Sequence, residues 1–185
     1  MSRKAPAPGT AGPRQPVRRI LLVGFMAAGK TTVGRILADR LGWRFLDVDE
    51  AIIRAAGRSV AEIFESAGET AFRAMEAERT LEMLAQTEAV IAPGGGWAAM
   101  PGALDALPPD CLVVWLRVSA GEAVRRALAE GGVRPLLAGD DPVVRARELL
   151  AAREASYRRA GLAVDVDGRD PTAIAAEIES HIRTG

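Results

Sequence analysis

Ile20-Leu21-Leu22-Val23-Gly24-Phe25-Met26-Ala27-Ala28-Gly29-Lys30-Thr31-Thr32 is the stretch whose reading decides the fold. Four apolar residues in a row read as a buried strand. Residues 24–31 follow the pattern G-x-x-x-x-G-K-[ST], and helical periodicity begins at Lys30 and runs to residue 41. Strand, glycine-rich turn and helix in that order make a phosphate cradle. The turn aims several backbone N–H groups at one point, and the helix N-terminus adds its partial positive charge. Lys30 is then expected to reach the β- and γ-phosphates and Thr31 to hold Mg²⁺. Gly24, Ala27, Ala28, Gly29, Lys30, Thr31 and Thr32 are the nucleotide-binding candidates. Composition supports this: of 24 Lys and Arg residues only Lys4 and Lys30 are lysines. A compact ammonium suits phosphate where a planar guanidinium does not.

Working outward, short apolar runs alternate with longer amphipathic stretches, which predicts an α/β fold, a parallel sheet covered by helices. Strands are expected at 19–23, 44–48, 89–92, 112–117 and 163–166, and helices at 30–41, 68–85, 121–129, 142–160 and 171–182. Two loops break the rhythm. Pro93-Gly94-Gly95-Gly96 follows a strand, where ligands collect beyond the carboxyl ends of open parallel sheets. Residues 130–141 hold three glycines and a proline between two helices and read as a lid. Residues 1–16, rich in Pro, Gly and Ala, read as a disordered leader, and 17–185 as a single domain.

The chain has 24 acidic residues against its 24 basic ones, so bulk charge argues against nucleic-acid or membrane partners. No apolar stretch has the length of a membrane span, and the single Cys111 sits in an apolar run as a core thiol. A cytoplasmic monomer acting on a small molecule is the expectation. The absence of any Asn excludes the Asn-Lys-x-Asp guanine-reading motif of GTPases.

Asp47 and Asp49 alternate along the end of the second strand, which places both beside the phosphate loop, where they could orient Mg²⁺ or accept a hydroxyl proton. The competing reading makes them a helix N-cap or a strand-end turn. Arg73 and Glu76, three apart on one helix, could equally be a plain surface ion pair. Arg134 lies in the lid stretch and Arg153 on the helix after it.

Taken together, Gly24 to Thr31, Asp47-x-Asp49, Gly68-Glu69-x-x-Phe72-Arg73-x-x-Glu76, Gly94-Gly95-Gly96, Arg134-Pro135-Leu136-Leu137 and Arg153-x-x-x-Tyr157 resemble shikimate kinase, over residues 20–171. The resemblance implies a three-layer α/β/α fold like that of nucleoside monophosphate kinases, with a five-stranded parallel sheet and a lid. It also implies transfer of the γ-phosphoryl group of ATP to the 3-hydroxyl of shikimate, a step of aromatic amino acid biosynthesis. Arg73 and Arg153 would clamp the acceptor carboxylate, and Asp49 would hold ring hydroxyls and deprotonate the attacking one. Gly94, Gly95 and Gly96 would approach the ring, Phe64 and Phe72 would wall it, and Glu76 would hold Arg73. Arg134 would swing over the phosphoryl group, Asp47 would act through Mg²⁺-bound water, and Arg126, Arg169 and Pro171 would flank adenine.

Three positions depart from the family pattern: Ala27 stands for a third loop glycine, Trp97 follows the triple glycine, and Ala155-Ser156 precede Tyr157. Two other readings compete: a related kinase for another hydroxylated acceptor such as gluconate, a nucleotide or an antibiotic, and a non-catalytic nucleotide-binding protein.

Overall fold

The computed structural model describes residues 16–129, 137 and 141–184. The expected leader up to residue 15, the lid residues 130–136 and 138–140, and with them Arg134, lie outside the described residues. The described strands are β1 (Arg19–Val23), β2 (Arg44–Asp47), β3 (Ala89–Ala92), β4 (Cys111–Arg117) and β5 (Leu162–Asp165). They pair in parallel in the order β2-β3-β1-β4-β5. The helices are α1 (Lys30–Leu41), α2 (Val48–Ala56), α3 (Val60–Leu84), α4 (Ala120–Ala129), α5 (Pro142–Tyr157) and α6 (Pro171–Thr184).

Strand alternation divides the buried side chains between two faces. Ile20, Leu22, Val90, Val114 and Leu116 join buried residues of α1, α4 and α6 in one cluster. Leu21, Val23, Ile91, Val113 and Trp115 join buried residues of α2, α3 and α5 in the other. Both faces of the central strands are therefore covered, which is why they read as unbroken apolar runs. The connection from β1 leaves toward β2 while β4 lies on its other side, so the chain reverses direction beside β1. The crevice at the strands' carboxyl ends opens at that point. Among the described residues no helix is long and apolar enough to cross a membrane.

Two local expectations need correction. The second strand stops at Asp47, and Val48 and Asp49 begin α2, so the two aspartates do not alternate on a strand. Asp47 is the N-cap, its Oδ1 accepting the Glu50 N–H at 3.1 Å, and Asp49 lies in the first helical turn. Helix α2 and the part of α3 before residue 68 also went unforeseen. Their signals were capping ones: Asp47 and Glu50 before an amphipathic run closed by Gly57, then a full capping box of Ser59 and Glu62.

Within α3 the backbone breaks at Gly68, with φ 80° and ψ 168°, a region that only glycine populates readily. The break separates the segment that carries Phe72, Arg73 and Glu76 from the one before it. A side chain at Gly68 would meet nothing within 4 Å, so its cost is purely conformational. Gly68→Ala is expected to lower stability by about 1–3 kcal/mol, read from the urea unfolding midpoint. An unchanged midpoint would mean that the helix runs on through residue 68 without penalty.

Ala27, where the family pattern has glycine, adopts φ 56°. The loop thus holds the left-handed conformation that glycine would take freely, at a cost of roughly 1–2 kcal/mol. Trp97 is buried in the core rather than set in an open pocket. Cys111, expected in the core, is half-buried at the edge of the second cluster; burial still pushes its thiol up to about 12, which keeps it inert.

Candidate active site

A cleft of about 670 Å³, counted out to its open mouth, lies at the carboxyl ends of β1, β2 and β3. Met26, Ala27, Gly29, Lys30, Thr31 and Thr32 form one wall, Asp47 and Asp49 a second, and Ala92, Pro93 and Gly95 the floor. Ala28, buried, backs the loop, its N–H donating to the Phe25 carbonyl at 3.3 Å. Lys30 Nζ donates to the carbonyls of Gly24 and Phe25 at 3.0 and 3.1 Å, so the ammonium sits inside the curl of its own loop. The Thr31 hydroxyl donates to Asp47 Oδ2 at 2.8 Å. Asp47 therefore caps α2 with one oxygen and reaches the phosphate loop with the other, which reconciles the two readings its position allowed.

That Thr31–Asp47 pair is a set of hard oxygen donors at the mouth of the phosphate loop. Such a set suits Mg²⁺, which takes one or two protein oxygens and completes its octahedron with water and phosphate. Among the described residues no group of three or more His, Cys, Asp or Glu could form an all-protein cage.

The acceptor candidates converge on the triple glycine. Arg73 Nη1 donates to Glu76 Oε2 at 2.6 Å, and Glu76 is fully buried, so this is no solvated surface pair. Asp49 Oδ1 and Glu76 Oε1 are both sealed from solvent without a hydrogen-bond partner among the described residues. Both face Gly94: a Cβ there would lie 2.1 Å from Glu76 Oε1 and 3.3 Å from Asp49 Oδ1. A Cβ on Gly96 would strike the Arg73 guanidinium at 2.9 Å. These residues must be glycine because two carboxylates and a guanidinium already occupy the space a side chain would need.

Phe64 and Phe72 pack with ring centroids 4.8 Å apart, and the Arg73 guanidinium carbon lies 6.0 and 5.6 Å from them. On the other side Arg153 lies 5.7 Å from the Phe25 ring centroid and donates to the Gly95 carbonyl at 3.4 Å. Arg73 and Arg153 thus face the same loop from α3 and α5, and Asp49 lies near enough to Arg73 and Lys30 to feel both charges. Burial above all, and then the Glu76 carboxylate, push the Asp49 carboxyl up to about 6, while Lys30 and Arg73 pull the other way. Two unpaired buried carboxylate oxygens beside two arginines form a receptor for a molecule carrying both hydroxyls and a negative charge.

Beyond the phosphate loop, Arg126 donates to the Ala27 carbonyl at 3.4 Å, the Val166 carbonyl at 2.7 Å and Glu122 at 2.7 Å. It ties the loop to the segment after β5. Arg169 donates to the Asp165 carbonyl at 3.0 Å and to Glu177 at 2.6 Å, and Pro171 opens α6. Met26 and Ala92 line the cleft without having been singled out, since a lone apolar side chain carries no chemical signature of its own, while Pro93 lies on the floor expected of its loop.

A shikimate kinase family profile matches residues 26–183. The shikimate kinase of Synechococcus sp. is 44% identical over 168 residues, covering 90% of this chain and 85% of that protein. That of Mycobacterium avium is also 44% identical, covering 89% and 93%. The solved structure of the Acinetobacter baumannii shikimate kinase in complex with shikimate superposes with a TM-score of 0.85 at 34% identity, covering 91% of this chain and 94% of that one. A gluconokinase from Sinorhizobium meliloti shares the fold, with a TM-score of 0.56 at 19% identity.

Proposed function

The chain belongs to the shikimate kinase family, and on that premise we propose which of its residues carry the reaction. The reaction is transfer of the γ-phosphoryl group of ATP to the 3-hydroxyl of shikimate, giving shikimate 3-phosphate and ADP. Lys30 and the N–H groups of residues 24–32 hold the β- and γ-phosphates. Asp49 orients the ring hydroxyls and takes the proton of the attacking one. Arg73 and Arg153 clamp the carboxylate, and Glu76 fixes the Arg73 rotamer. Residues 94–96 lie under the ring, with Phe64 and Phe72 as its apolar wall. Thr31 directly and Asp47 through water would hold Mg²⁺, which supplies positive charge against the phosphate oxygens when bound. Arg126, with the 169–171 turn nearby, serves the adenine side. The proposal extends to a cytoplasmic monomer without nucleic-acid or membrane partners, and the balance of 24 acidic and 24 basic residues supports the last of these, the lack of polyanionic or membrane partners.

One observation carries this reading: the backbone of Gly95 lies against the phosphate loop while its neighbours lie against Asp49, Glu76 and Arg73. A Cβ on Gly95 would come within 3.2 Å of the Gly24 carbonyl oxygen and the Met26 nitrogen. Donor phosphate and acceptor ring therefore share one seam, as in-line transfer requires.

ADP release measured with shikimate, with gluconate and without an acceptor tests the assignment. Release that depends on shikimate is expected. Release only with gluconate, or with no acceptor needed, would overturn the acceptor site. Arg73→Ala should cut shikimate-dependent turnover roughly 10²-fold, about 3 kcal/mol of a charge-assisted clamp, and leave the ATP KM within a few-fold. Because the alanine strands the buried Glu76 carboxylate, Arg73→Lys is the companion: it keeps that charge paired and still loses the bidentate fork. Equal losses of ATP and acceptor binding in both variants would place Arg73 outside the acceptor pocket.

A further inference from the structure

Tyr157 is the chain's single tyrosine, and its side chain is fully buried. It stacks on Trp115 with ring centroids 5.7 Å apart, so its ring is held by β4. Its hydroxyl donates to the carbonyl of Gly95, the residue at the seam between phosphate loop and acceptor floor. Arg153, one turn earlier on α5, donates to the same carbonyl at 3.4 Å. Burial raises the phenol above its ordinary range, so it remains a protonated donor at any working pH.

A planar trans peptide links the Gly95 carbonyl to the Gly96 N–H, and the two point in opposite directions. Fixing the carbonyl toward Tyr157 therefore fixes the Gly96 N–H on the side away from Tyr157. Glycine at both positions leaves this peptide free to rotate unless something outside the loop holds it. Two donors from α5 do so, one of them an arginine that the acceptor reading assigns to the carboxylate. When Arg153 turns to its ligand, Tyr157 is the donor that stays.

We propose that Tyr157 is a positioning residue for the acceptor: its hydroxyl locks the Gly95–Gly96 peptide and so sets the backbone floor on which the acceptor ring lies. This rests on the acceptor reading of residues 94–96 given above. Phenylalanine removes one oxygen and keeps the packing on Trp115.

Tyr157→Phe in the full chain should raise the KM for shikimate roughly five- to twenty-fold, the usual effect of one lost hydrogen bond to a buried group. The ATP KM should stay within two-fold. An acceptor KM within two-fold of the parent, or equal rises in both KM values, would overturn the proposal in favour of a purely structural tyrosine. If the parent turns over ATP but not shikimate, the acceptor reading itself fails and this proposal with it. A second measurement does not depend on the variant folding. Because the chain has one tyrosine, growth on 3-fluorotyrosine labels position 157 alone. Its single ¹⁹F resonance should move when shikimate is added and much less with ADP. A resonance that stays put while tryptophan fluorescence shows shikimate saturation would overturn the proposal.

Discussion

Replacing Lys30 by alanine is expected to lower shikimate-dependent turnover by roughly 10³-fold or more. The ammonium is the one lysine among the described residues, and it lies within hydrogen-bond reach of two carbonyls of its own loop, Gly24 at 3.0 Å and Phe25 at 3.1 Å. Removing it takes a full charge from the position where negative charge shifts during transfer. It also frees a loop that already holds Ala27 in a left-handed conformation. Both effects act on the phosphate side, so the ATP KM should rise with the fall in kcat, whereas Arg73→Ala spares ATP. Lys30→Arg is expected to rescue little, because a planar fork needs more room than the curl provides. The check is steady-state kinetics in both substrates beside an unfolding curve. More than a tenth of parental turnover in a folded Lys30→Ala variant would remove Lys30 from the chemistry.

How much of this was legible in the sequence depended on how local each feature is. The phosphate loop was, because strand, turn and helix are contiguous from Ile20 to Leu41 and each residue type has its own reason to be there. The alternation of elements likewise carried the parallel sheet. Helix α2 was lost because its first residue, Val48, reads as the end of the preceding strand, although the Asp47–Glu50 cap and the amphipathic run behind it announced it. Arg73 and Glu76 were visible as an i,i+3 pair, but spacing says nothing of depth. Only the packed sheet and α3 make Glu76 fully buried, which turns a surface pair into a fixed carboxylate beside Asp49. The need for glycine at 94 and 96 comes from side chains that are distant in sequence, Asp49, Glu76 and Arg73, and at 95 from the backbone of residues 24–26. Tyr157 reaches Gly95 across 62 residues, and no local pattern encodes that contact.

Asp49→Asn is expected to stabilise the protein at neutral pH while cutting turnover roughly 10³-fold, two changes of opposite sign that a merely structural aspartate would not give. The folded carboxyl is raised from 3.8 to about 6, chiefly by burial. Below pH 3.8 both the folded and the unfolded chain hold the proton, and the carboxyl does not bias folding. As pH climbs from 3.8 to 6 the unfolded chain releases its proton first. Folding then comes at the expense of a buried, increasingly charged group, and stability falls through that window by up to about 3 kcal/mol. An asparagine resembles the protonated form at every pH, so the variant should escape that decline and unfold later than the parent at pH 7–8. The same shift works in the opposite sense for activity. The parent should lose turnover as pH drops below about 6, where Asp49 binds the proton it must be free to accept. The acid limb should be absent from whatever residual activity the asparagine variant keeps. Unfolding midpoints at pH 5 and 8, set beside pH–rate profiles of both proteins, supply the measurement. A variant that is no more stable at pH 8 than its parent would mean that the carboxylate is well solvated. A parental profile flat down to pH 5 would mean that another group takes the hydroxyl proton.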